Sequence, residues 1–525
     1  MGFLLHHSVF EAAQRDPDRD AFRFEGRGLT YAELAERSTR LANLLIAHGV
    51  KPHDRVGIYM NKSLELPVAL YGVLAAGAAY VPIDPTAPAA RVKFILEDCG
   101  IRHLITQGSH ARKAVRLAAD APGLRCVVGA QPPATEKASD TPAFLPWSEV
   151  DAAPPQDPGV ALVEHDLAYI MYTSGSTGAP KGLMHTHGSG LAYARLSARE
   201  YGVRPEDRLG NHSPLHFDMS TFEYLTGPWV GATTVIIPEE ATMFPLSLAE
   251  LIESERLTFW YSVPLALIQL LEQGEIEGRD LSSLRWVLFG GEPFAPKHLA
   301  RLAELWPHAR FSNSYGPAEV NQCTAYHLPS GPLDVEQPIP IGPVWPGAEG
   351  LIVSADDQEV APGEVGELLI RAPTMMRGYW ARPDLNQRAF YRQDLFEDFD
   401  KVFYRTGDLV RDPGDGNLLF LGRKDRLVKV RGYRVELDEV EAVLNALPDV
   451  AEAGAVAVRG DDGQATLCAA VLPREGATLD AAELRRGAAK RLSPYAVPSR
   501  IEVRTSLPRT GSGKIDRKAL KQEFS

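Results

Sequence analysis

The sequence predicts an α/β protein in two parts, a large part of parallel sheets covered by helices and a smaller α+β part. Over roughly the first four hundred residues, amphipathic helical stretches alternate with short apolar strands, the pattern of parallel sheets with helical covers. Near residue 422 this pattern changes to short strands around a helix. A chain of 525 residues exceeds one compact domain, so we expect domains at 1–422 and 423–525.

The elements of the large part follow from local signals. Thr30 and Glu33 form a capping box, and leucines at helical spacing predict a helix that ends near Gly49. A second apolar helix is predicted at 67–78. Strands are predicted at 55–60, 80–83, 168–171, 233–237, 257–263 and 286–289. The segment 130–159 is rich in Pro, Ala and charged residues, which predicts a surface excursion rather than a core element.

The smaller part has its own pattern. Short strands are predicted at 427–431, 434–437, 455–458 and 465–471, and a helix is predicted at 438–447. About a hundred residues is an ordinary size for such an α+β domain.

The composition restricts the partners and the compartment. The formal net charge is −13, whereas nucleic-acid binding needs surplus Lys and Arg, so no nucleic acid is expected as a partner. The four widely spaced cysteines argue against a zinc site or a disulfide framework and favour a reducing compartment. The N-terminus lacks the features of a signal peptide, and no stretch has the apolar length of a membrane span. We therefore expect a cytoplasmic protein without a membrane partner, as a monomer or weak dimer.

The segment YTSGSTGAPKG at 172–182 directly follows a predicted strand. Its three Gly and four Ser or Thr residues make a loop whose backbone N–H groups and hydroxyls can surround phosphate oxygens, and Lys181 adds a positive charge. The loop is not a Walker A motif, because Pro180 precedes Lys181 and Gly182 follows it. The alternative is a flexible linker, which rarely carries a Pro-Lys-Gly end after a hydroxyl run.

Nine segments, in family order, resemble motifs of the adenylate-forming superfamily, which includes acyl-CoA synthetases, beetle luciferases and nonribosomal peptide synthetase adenylation domains. They are LTYAEL at 29–34, GAAYVPID at 77–84, the loop at 172–182, NSYGPAE at 313–319, GEL at 366–368, GY at 378–379, YRTGD at 404–408, GRKDRLVKVRG at 422–432 and GSGKID at 511–516. The chain is most similar to free-standing adenylation domains, the amino acid–[carrier protein] ligases. The resemblance implies the adenylate-forming fold, in which the large domain carries a small β-barrel-like subdomain and the small C-terminal domain is mobile.

The resemblance also implies a site for ATP and Mg²⁺. A carboxylate attacking the α-phosphorus of ATP builds up negative charge, so catalysis is mainly positioning and cationic stabilisation. Lys514 would bridge the carboxylate and the α-phosphate, Glu319 would bind Mg²⁺, and Thr177 would face the phosphates. Ala318 replaces the Thr or Ser usual before that Glu, which removes a hydroxyl that Thr177 and Ser176 are expected to replace. The residues expected to bind ATP are Thr173, Ser174, Gly175, Ser176, Thr177, Gly178, Lys181, Asn313, Tyr315, Gly316, Asp408, Arg423 and Lys514.

Asp425 lies at the family's hinge position, about which the small domain would swing between an adenylating and a thioester-forming pose. Lys514 would face the active site only in the first pose. Simpler alternatives remain for single residues. Lys514 can be an exposed lysine near the end of the chain, Asp408 a turn residue, Tyr315 a core aromatic and Asp425 a surface residue.

Asp218 indicates the class of carboxylate. It lies in HFDMS at 216–220, an otherwise apolar stretch in which a buried carboxylate is costly without a cationic partner. In amino-acid-activating members the matching Asp pairs with the substrate ammonium, and fatty acyl-CoA synthetases lack it. The alternative is a helix N-cap ahead of 221–225.

The pocket positions of peptide synthetases map onto a short set of residues in this chain. Phe222, Tyr261 and Leu288 are bulky, and none of the set is charged, so a small neutral amino acid such as Ala, Ser, Gly or Pro is expected. Gln322 can bond a hydroxyl. Phe217 would gate the phosphopantetheine tunnel. The remaining positions are Met219, Gly290, Ser314 and Cys323.

The sequence contains neither a carrier domain nor the HHxxxDG motif of a condensation domain. The acceptor is therefore expected to be a free-standing acyl or peptidyl carrier protein, through its phosphopantetheine thiol or an aminoacyl group already on it, in natural-product biosynthesis. The rival enzyme is an acyl- or aryl-CoA synthetase. A rival of another class is a non-catalytic adenylate-binding scaffold or regulator.

Overall fold

The computed structural model describes residues 2–108, 110–121, 123–131, 142–175, 179–424, 426–460, 464–510 and 515–525. The predicted α/β class is confirmed, and the chain divides into two compact units. The first unit comprises Met1–Pro85, Leu96–Tyr172 and Gly182–Gly422. The second comprises Arg423–Ser525 together with two earlier segments, Thr86–Ile95 and Thr173–Lys181.

One eight-stranded sheet carries most of the residues expected around the amino acid and the adenine. Its pairings are parallel except for the outermost one at each edge. In spatial order its strands are Thr324–His327, Arg310–Tyr315, Trp286–Gly290, Phe259–Ser262, Arg208–Asn211, Thr233–Ile236, Asp20–Phe24 and Arg27–Thr30.

A second eight-stranded sheet contains the strands on both sides of the glycine-rich loop. Its order is Gly378–Tyr379, Lys181–Thr186, Leu167–Thr173, Ala79–Pro82, Arg55–Tyr59, His103–Thr106, Cys126–Val128 and Ala143–Leu145. From Leu167–Thr173 onward the strands run parallel.

A third sheet is antiparallel and five-stranded, and it is separate from the two eight-stranded sheets. Its path runs through Glu349–Val353, Val365–Arg371, Phe399–Arg411 and Phe390–Phe396, and Leu419–Arg423 pairs with Phe399–Arg411. Short antiparallel strands of this kind need no crossover helices.

Helices cover the sheets, and their burial follows their composition. Every residue of Glu65–Ala75 after the first is buried, as expected for a helix that is apolar on all sides. Tyr31–Ala47 begins with the predicted Thr30–Glu33 capping box. The other α-helices outside Arg423–Ser525 are His7–Arg15, Ala89–Asp98, His110–Asp120, Trp147–Ala152, His187–Tyr201, Gly227–Val230, Glu239–Met243, Pro245–Ser254, Pro264–Gln273, Pro296–Leu305 and Pro383–Ala389.

Within Arg423–Ser525 the predicted α+β pattern is present. A hairpin joins Leu427–Val430 to Tyr433–Glu436, and a second sheet contains Val450–Arg459, Ala465–Pro473 and Arg500–Val503. Its α-helices are Leu437–Asn445, Ala481–Ala489 and Arg517–Phe524. Among the buried residues that hold this part together are Val440, Leu444 and Leu484.

The prediction for 130–159 was wrong in part. Ala143–Leu145 is the edge strand of the second sheet, and Trp147–Ala152 is a short helix. The strand was missed because it has three half-buried residues, which are too few to give a clear alternating pattern within a segment rich in Pro and Ala. Among the described residues, no helix is long and apolar enough to cross a membrane.

Candidate active site

The glycine-rich loop connects Leu167–Thr173 to Lys181–Thr186. The Ser174 hydroxyl donates to the Arg434 carbonyl oxygen at 3.0 Å, and both residues belong to the second unit. Lys181 is buried at the start of the outgoing strand. The expectations for Ser176, Thr177 and Gly178 lie outside the described residues, as do those for Lys514 and Asp425.

The second unit contains an ion pair that sequence analysis missed. Arg91 Nη1 lies 2.6 Å from Glu439 Oε1, and the two side chains are 8% and 5% exposed. Burial raises the pKa of Glu439, whereas Arg91 and the backbone N–H of Gly175 act in the opposite direction. The loop and the segment Thr86–Ile95 are thus bonded to residues of 423–525. No local pattern signals a pair that is 348 positions apart.

Two of the residues expected around the adenine and ribose, Tyr315 and Asp408, are in contact. Tyr315 ends the strand Arg310–Tyr315, and its hydroxyl donates to Asp408 Oδ2. Asp408 is buried, and its backbone N–H is bonded to Thr406 Oγ1 at 3.0 Å. Burial is the main reason that the pKa of Tyr315 is well above its usual range, and the nearby Asp408 charge raises it further. The Asn313 side-chain amide donates to the Pro340 carbonyl oxygen at 2.8 Å.

Gly316 opens a tight turn that leads to Glu319. A Cβ at this glycine would lie 1.7 Å from the Asn321 carbonyl oxygen, so no larger residue fits without moving the backbone. Asn321 closes the turn with a φ of 65°, in the left-handed region that Asn tolerates better than most residues. Glu319 lies within this turn, and Gln322 directly follows it.

Glu319 is fully buried, and its carboxylate is held in place. Tyr379 Oη donates to Glu319 Oε1 at 2.8 Å, and the strand Gly378–Tyr379 pairs with Lys181–Thr186. His185 lies close by, where its Nε2 is 3.1 Å from the Ala318 carbonyl oxygen and burial lowers its pKa to about 4. A neutral imidazole therefore borders this carboxylate at physiological pH.

The donor set can be tested for its fit to Mg²⁺. Among the described residues there is no group of three or more His, Cys, Asp or Glu side chains that could hold a metal ion. Mg²⁺ is commonly bound by one or two carboxylates, with its other ligands from water and substrate phosphates. Buried Glu319, near the loop strand Lys181–Thr186, fits that mode and does not fit an all-protein cage.

Four of the residues expected to line the amino acid pocket share one face of the first sheet. The strand register pairs Tyr261 with Leu288 and Gly290 with Ser314, and residues two apart on a strand lie on the same face. Phe222, Tyr261 and Leu288 lie in one buried cluster, and Met219 packs against it.

Asp218 lies beside that cluster. It is the first residue of the short 3₁₀ helix Asp218–Ser220, which is followed by the π-helix Phe222–Thr226. Burial raises the pKa of Tyr261, and the nearby charges of Tyr201 and Asp218 raise it further. Phe217 is the N-cap residue of the 3₁₀ helix and Thr221 is that of the π-helix, so Asp218 is the N-cap of neither.

The backbone around Asp218 is tied to the Glu319 turn. Thr221 Oγ1 donates to the Asp218 carbonyl oxygen at 2.5 Å, and Asn321 Nδ2 donates to Thr221 Oγ1 at 2.9 Å. Sequence analysis did not identify Thr221 or Asn321. Asn321 lies within two positions of the NSYGPAE motif, and that was the available signal.

The inner end of the pocket is polar. Gln322 Nε2 donates to Tyr201 Oη at 2.5 Å and to the Thr324 carbonyl oxygen at 3.3 Å, and Tyr201 Oη lies 3.0 Å from Ser314 Oγ. Tyr201 ends the helix His187–Tyr201, and no motif marks it. Burial raises the pKa of the Cys323 thiol, which disfavours a reactive thiolate at this position.

The structure also describes two further expected residues. Phe217 is half-buried with its ring centroid 4.7 Å from that of His216. Arg423 is the last residue of the strand Leu419–Arg423.

Comparison with known proteins agrees with this geometry. The AMP-binding enzyme family matches residues 9–380, and the AMP-binding enzyme C-terminal domain matches residues 439–514. An L-proline–[L-prolyl-carrier protein] ligase of Pseudomonas fluorescens is 35% identical over 523 residues, which is 99% of each chain. An L-proline–[L-prolyl-carrier protein] ligase of Streptomyces coelicolor is 35% identical over 503 residues, which is 94% of this chain and 91% of that protein.

A solved structure has the same architecture throughout. The adenylation domain AlmE of Vibrio cholerae, in complex with glycyl-adenosine-5'-phosphate, superposes with a TM-score of 0.85 at 25% identity, covering 100% of this chain and 98% of that one. The identities and coverage confirm the resemblance seen in the sequence. The chain belongs to the AMP-binding enzyme family, and it is an ATP-dependent, AMP-forming ligase.

Proposed function

We propose that this enzyme activates a small neutral amino acid as its aminoacyl-AMP and transfers it to a separate carrier protein. In the first step a carboxylate oxygen bonds to the α-phosphorus of ATP and pyrophosphate leaves. In the second step the phosphopantetheine thiol, or an amine carried on it, attacks the acyl carbon and AMP leaves. The full-length likeness to a prolyl-carrier protein ligase and to an adenylation domain with a glycyl-adenylate supports both the substrate class and the partner.

The position of Asp218 carries the proposal. This carboxylate lies beside a buried aromatic cluster, where its charge raises the pKa of Tyr261. A partly buried carboxylate is stabilised by a cation, and the ammonium of an amino acid supplies one. Fatty and aromatic acids have no such group. Phe222, Tyr261 and Leu288, which are bulky and packed together, would restrict the pocket to a small side chain.

In the ATP site, Tyr315 and Asp408 would hold the adenosine. Arg423 would contact the ribose, and the loop with Lys181 would surround the phosphates. Glu319 would bind Mg²⁺, which when bound supplies positive charge to the phosphate oxygens. Lys514 would bridge the reacting carboxylate and the α-phosphate.

The test is ATP–pyrophosphate exchange against all proteinogenic amino acids, with wild type, Asp218→Ala and the exposed control Asp18→Ala. We expect exchange with one or a few of Ala, Ser, Gly and Pro, lost by at least about a hundredfold in Asp218→Ala and kept in the control. Exchange only with acids that lack an amine would contradict the proposal and assign the enzyme to the acyl- or aryl-CoA synthetases.

The acceptor is tested separately with a purified carrier protein in its phosphopantetheine form. Mass spectrometry is expected to show one aminoacyl group added to the carrier. Loading of free coenzyme A alone, with no transfer to any carrier, would overturn the partner proposal.

A further inference from the structure

Gln322 carries an unpaired hydrogen-bond acceptor at the inner end of the pocket. The side chain is 3% exposed, and its Oε1 has no partner among the described residues. The orientation of the amide is determined by its neighbour, because the Thr324 carbonyl oxygen can only accept, and it lies 3.3 Å from Nε2. A buried amide oxygen without a donor is unfavourable, so this position is built for a group that is not part of the chain.

The neighbouring hydroxyl groups are already bonded to one another. Gln322 Nε2 donates to Tyr201 Oη, and Tyr201 Oη lies 3.0 Å from Ser314 Oγ. Ser314 is also hydrogen-bonded to the Tyr261 side chain. Among the described residues, Gln322 Oε1 is therefore the acceptor that this group of side chains leaves without a donor.

A second unpaired group lies in the same cluster. Trp345 Nε1 is a buried donor without an acceptor among the residues that the structure describes. Its ring is 6.5 Å from that of Tyr201, and its backbone N–H donates to the Cys323 carbonyl oxygen at 2.8 Å. Trp345 and Tyr201 belong to one buried cluster, and Gln322 is bonded to Tyr201.

We propose that the preferred substrate is an amino acid with a side-chain hydroxyl, which donates to Gln322 Oε1. This inference rests on the proposed function, because it places the substrate side chain against this residue. A hydroxyl is a small uncharged donor, which suits a buried amide acceptor. Proline has no hydrogen-bond donor except its ring nitrogen, and the proposed function pairs that nitrogen with Asp218. Serine, threonine and hydroxylated prolines satisfy the requirement.

The first experiment compares pairs of substrates that differ by one hydroxyl. Exchange kinetics are measured for serine against alanine, threonine against valine, and cis- and trans-4-hydroxy-L-proline against L-proline. We expect kcat/KM to be at least about tenfold higher for the hydroxylated member of the pair that the pocket accepts, since a site built to bond a hydroxyl discriminates strongly against its absence. Alanine, valine or proline equalling or exceeding its hydroxylated partner in every pair overturns the inference and leaves the proposed function standing.

The second experiment assigns the preference to Gln322. Gln322→Met keeps the length of the side chain and removes the acceptor, and Gln273→Met is a matched control on the exposed end of a helix. The hydroxyl preference is expected to fall about tenfold in Gln322→Met and to persist in the control. An unchanged ratio in a folded Gln322→Met, checked by thermal unfolding, overturns the assignment. Exchange with no amino acid at all marks a failure of the proposed function instead.

Discussion

Two corners of the site are built on the same strand, Arg310–Tyr315, and differ in how their polar groups are paired. At the adenosine corner Tyr315 bonds to Asp408 and Asn313 bonds to a backbone carbonyl. At the pocket corner Ser314 and Tyr201 are paired, but Gln322 retains a buried acceptor without a donor among the described residues. At the adenosine corner the polar groups are hydrogen-bonded before any ligand binds. At the pocket corner the Gln322 acceptor gains a hydrogen bond only when a substrate binds. Selectivity is therefore expected from the incomplete corner.

The turn between the two corners is where a single change should have the largest effect. Gly316→Ala places a Cβ 1.7 Å from the Asn321 carbonyl oxygen, which moves the backbone that positions both Glu319 and Gln322. We expect pyrophosphate exchange to fall by at least about a hundredfold and the midpoint of thermal unfolding to fall, with a cost of about 1–3 kcal/mol. Near-wild-type exchange would show that the two corners are not coupled through this turn.

A smaller effect is expected at the adenosine corner. Asp408→Ala removes the partner of the Tyr315 hydroxyl, and the KM for ATP is expected to rise by about tenfold or more. The KM for the amino acid should change far less, because Asp408 is not among the pocket residues. A parallel rise in both constants in steady-state kinetics would contradict the separation of the two corners.

Behind the pocket, the buried acid Glu223 predicts a pH-dependent stability. Burial raises its pKa to about 8, so between about pH 4.5 and pH 8 the unfolded chain is ionised while the native state keeps the proton, and stability falls as pH rises through this window. Glu223→Gln removes this dependence, and its amide oxygen can accept the bond that Asn211 Nδ2 donates to Glu223 Oε2. The variant should be more stable at pH 8 by on the order of 2–4 kcal/mol and little changed at pH 4.5.

Urea unfolding of wild type and Glu223→Gln at pH 4.5, 6.5 and 8 measures this difference. Lys62 contributes in the opposite direction above about pH 8, because burial lowers its pKa to about 8, so the comparison is confined to the lower range. A stability difference that does not grow with pH would show that Glu223 is ionised in the native protein.

The smallest effect is expected from Tyr201→Phe. This change removes the hydroxyl that links Gln322 to Ser314 but keeps the ring packing, so the preference for hydroxylated substrates should fall by about three- to tenfold. The KM for ATP should not change with it. Exchange kinetics with the same substrate pairs make the measurement, and an equal loss for both members of a pair would indicate a packing effect instead.

The regular elements and the outline of the site were predictable because their signals are local. The Thr30–Glu33 capping box and the strands at 55–60, 233–237 and 286–289 follow from spacing alone, and the structure confirms them within one residue or so. The edge strand Ala143–Leu145 was missed because a short half-buried strand lacks that spacing. Asn321 was missed because its role depends on its left-handed backbone conformation and on the close approach of its carbonyl oxygen to Gly316. Neither is visible in the local sequence.

The sequence by itself determined the class of fold, the family and the list of residues from which an ATP and amino acid site is made. The tertiary structure decided how these residues are paired, and it added Tyr201, Trp345 and the Arg91–Glu439 pair to the list. Motifs record which residue types are present in order along the chain. Whether a buried polar atom has a partner depends on side chains brought together from distant positions, because a hydrogen bond requires distance and direction that no local pattern encodes.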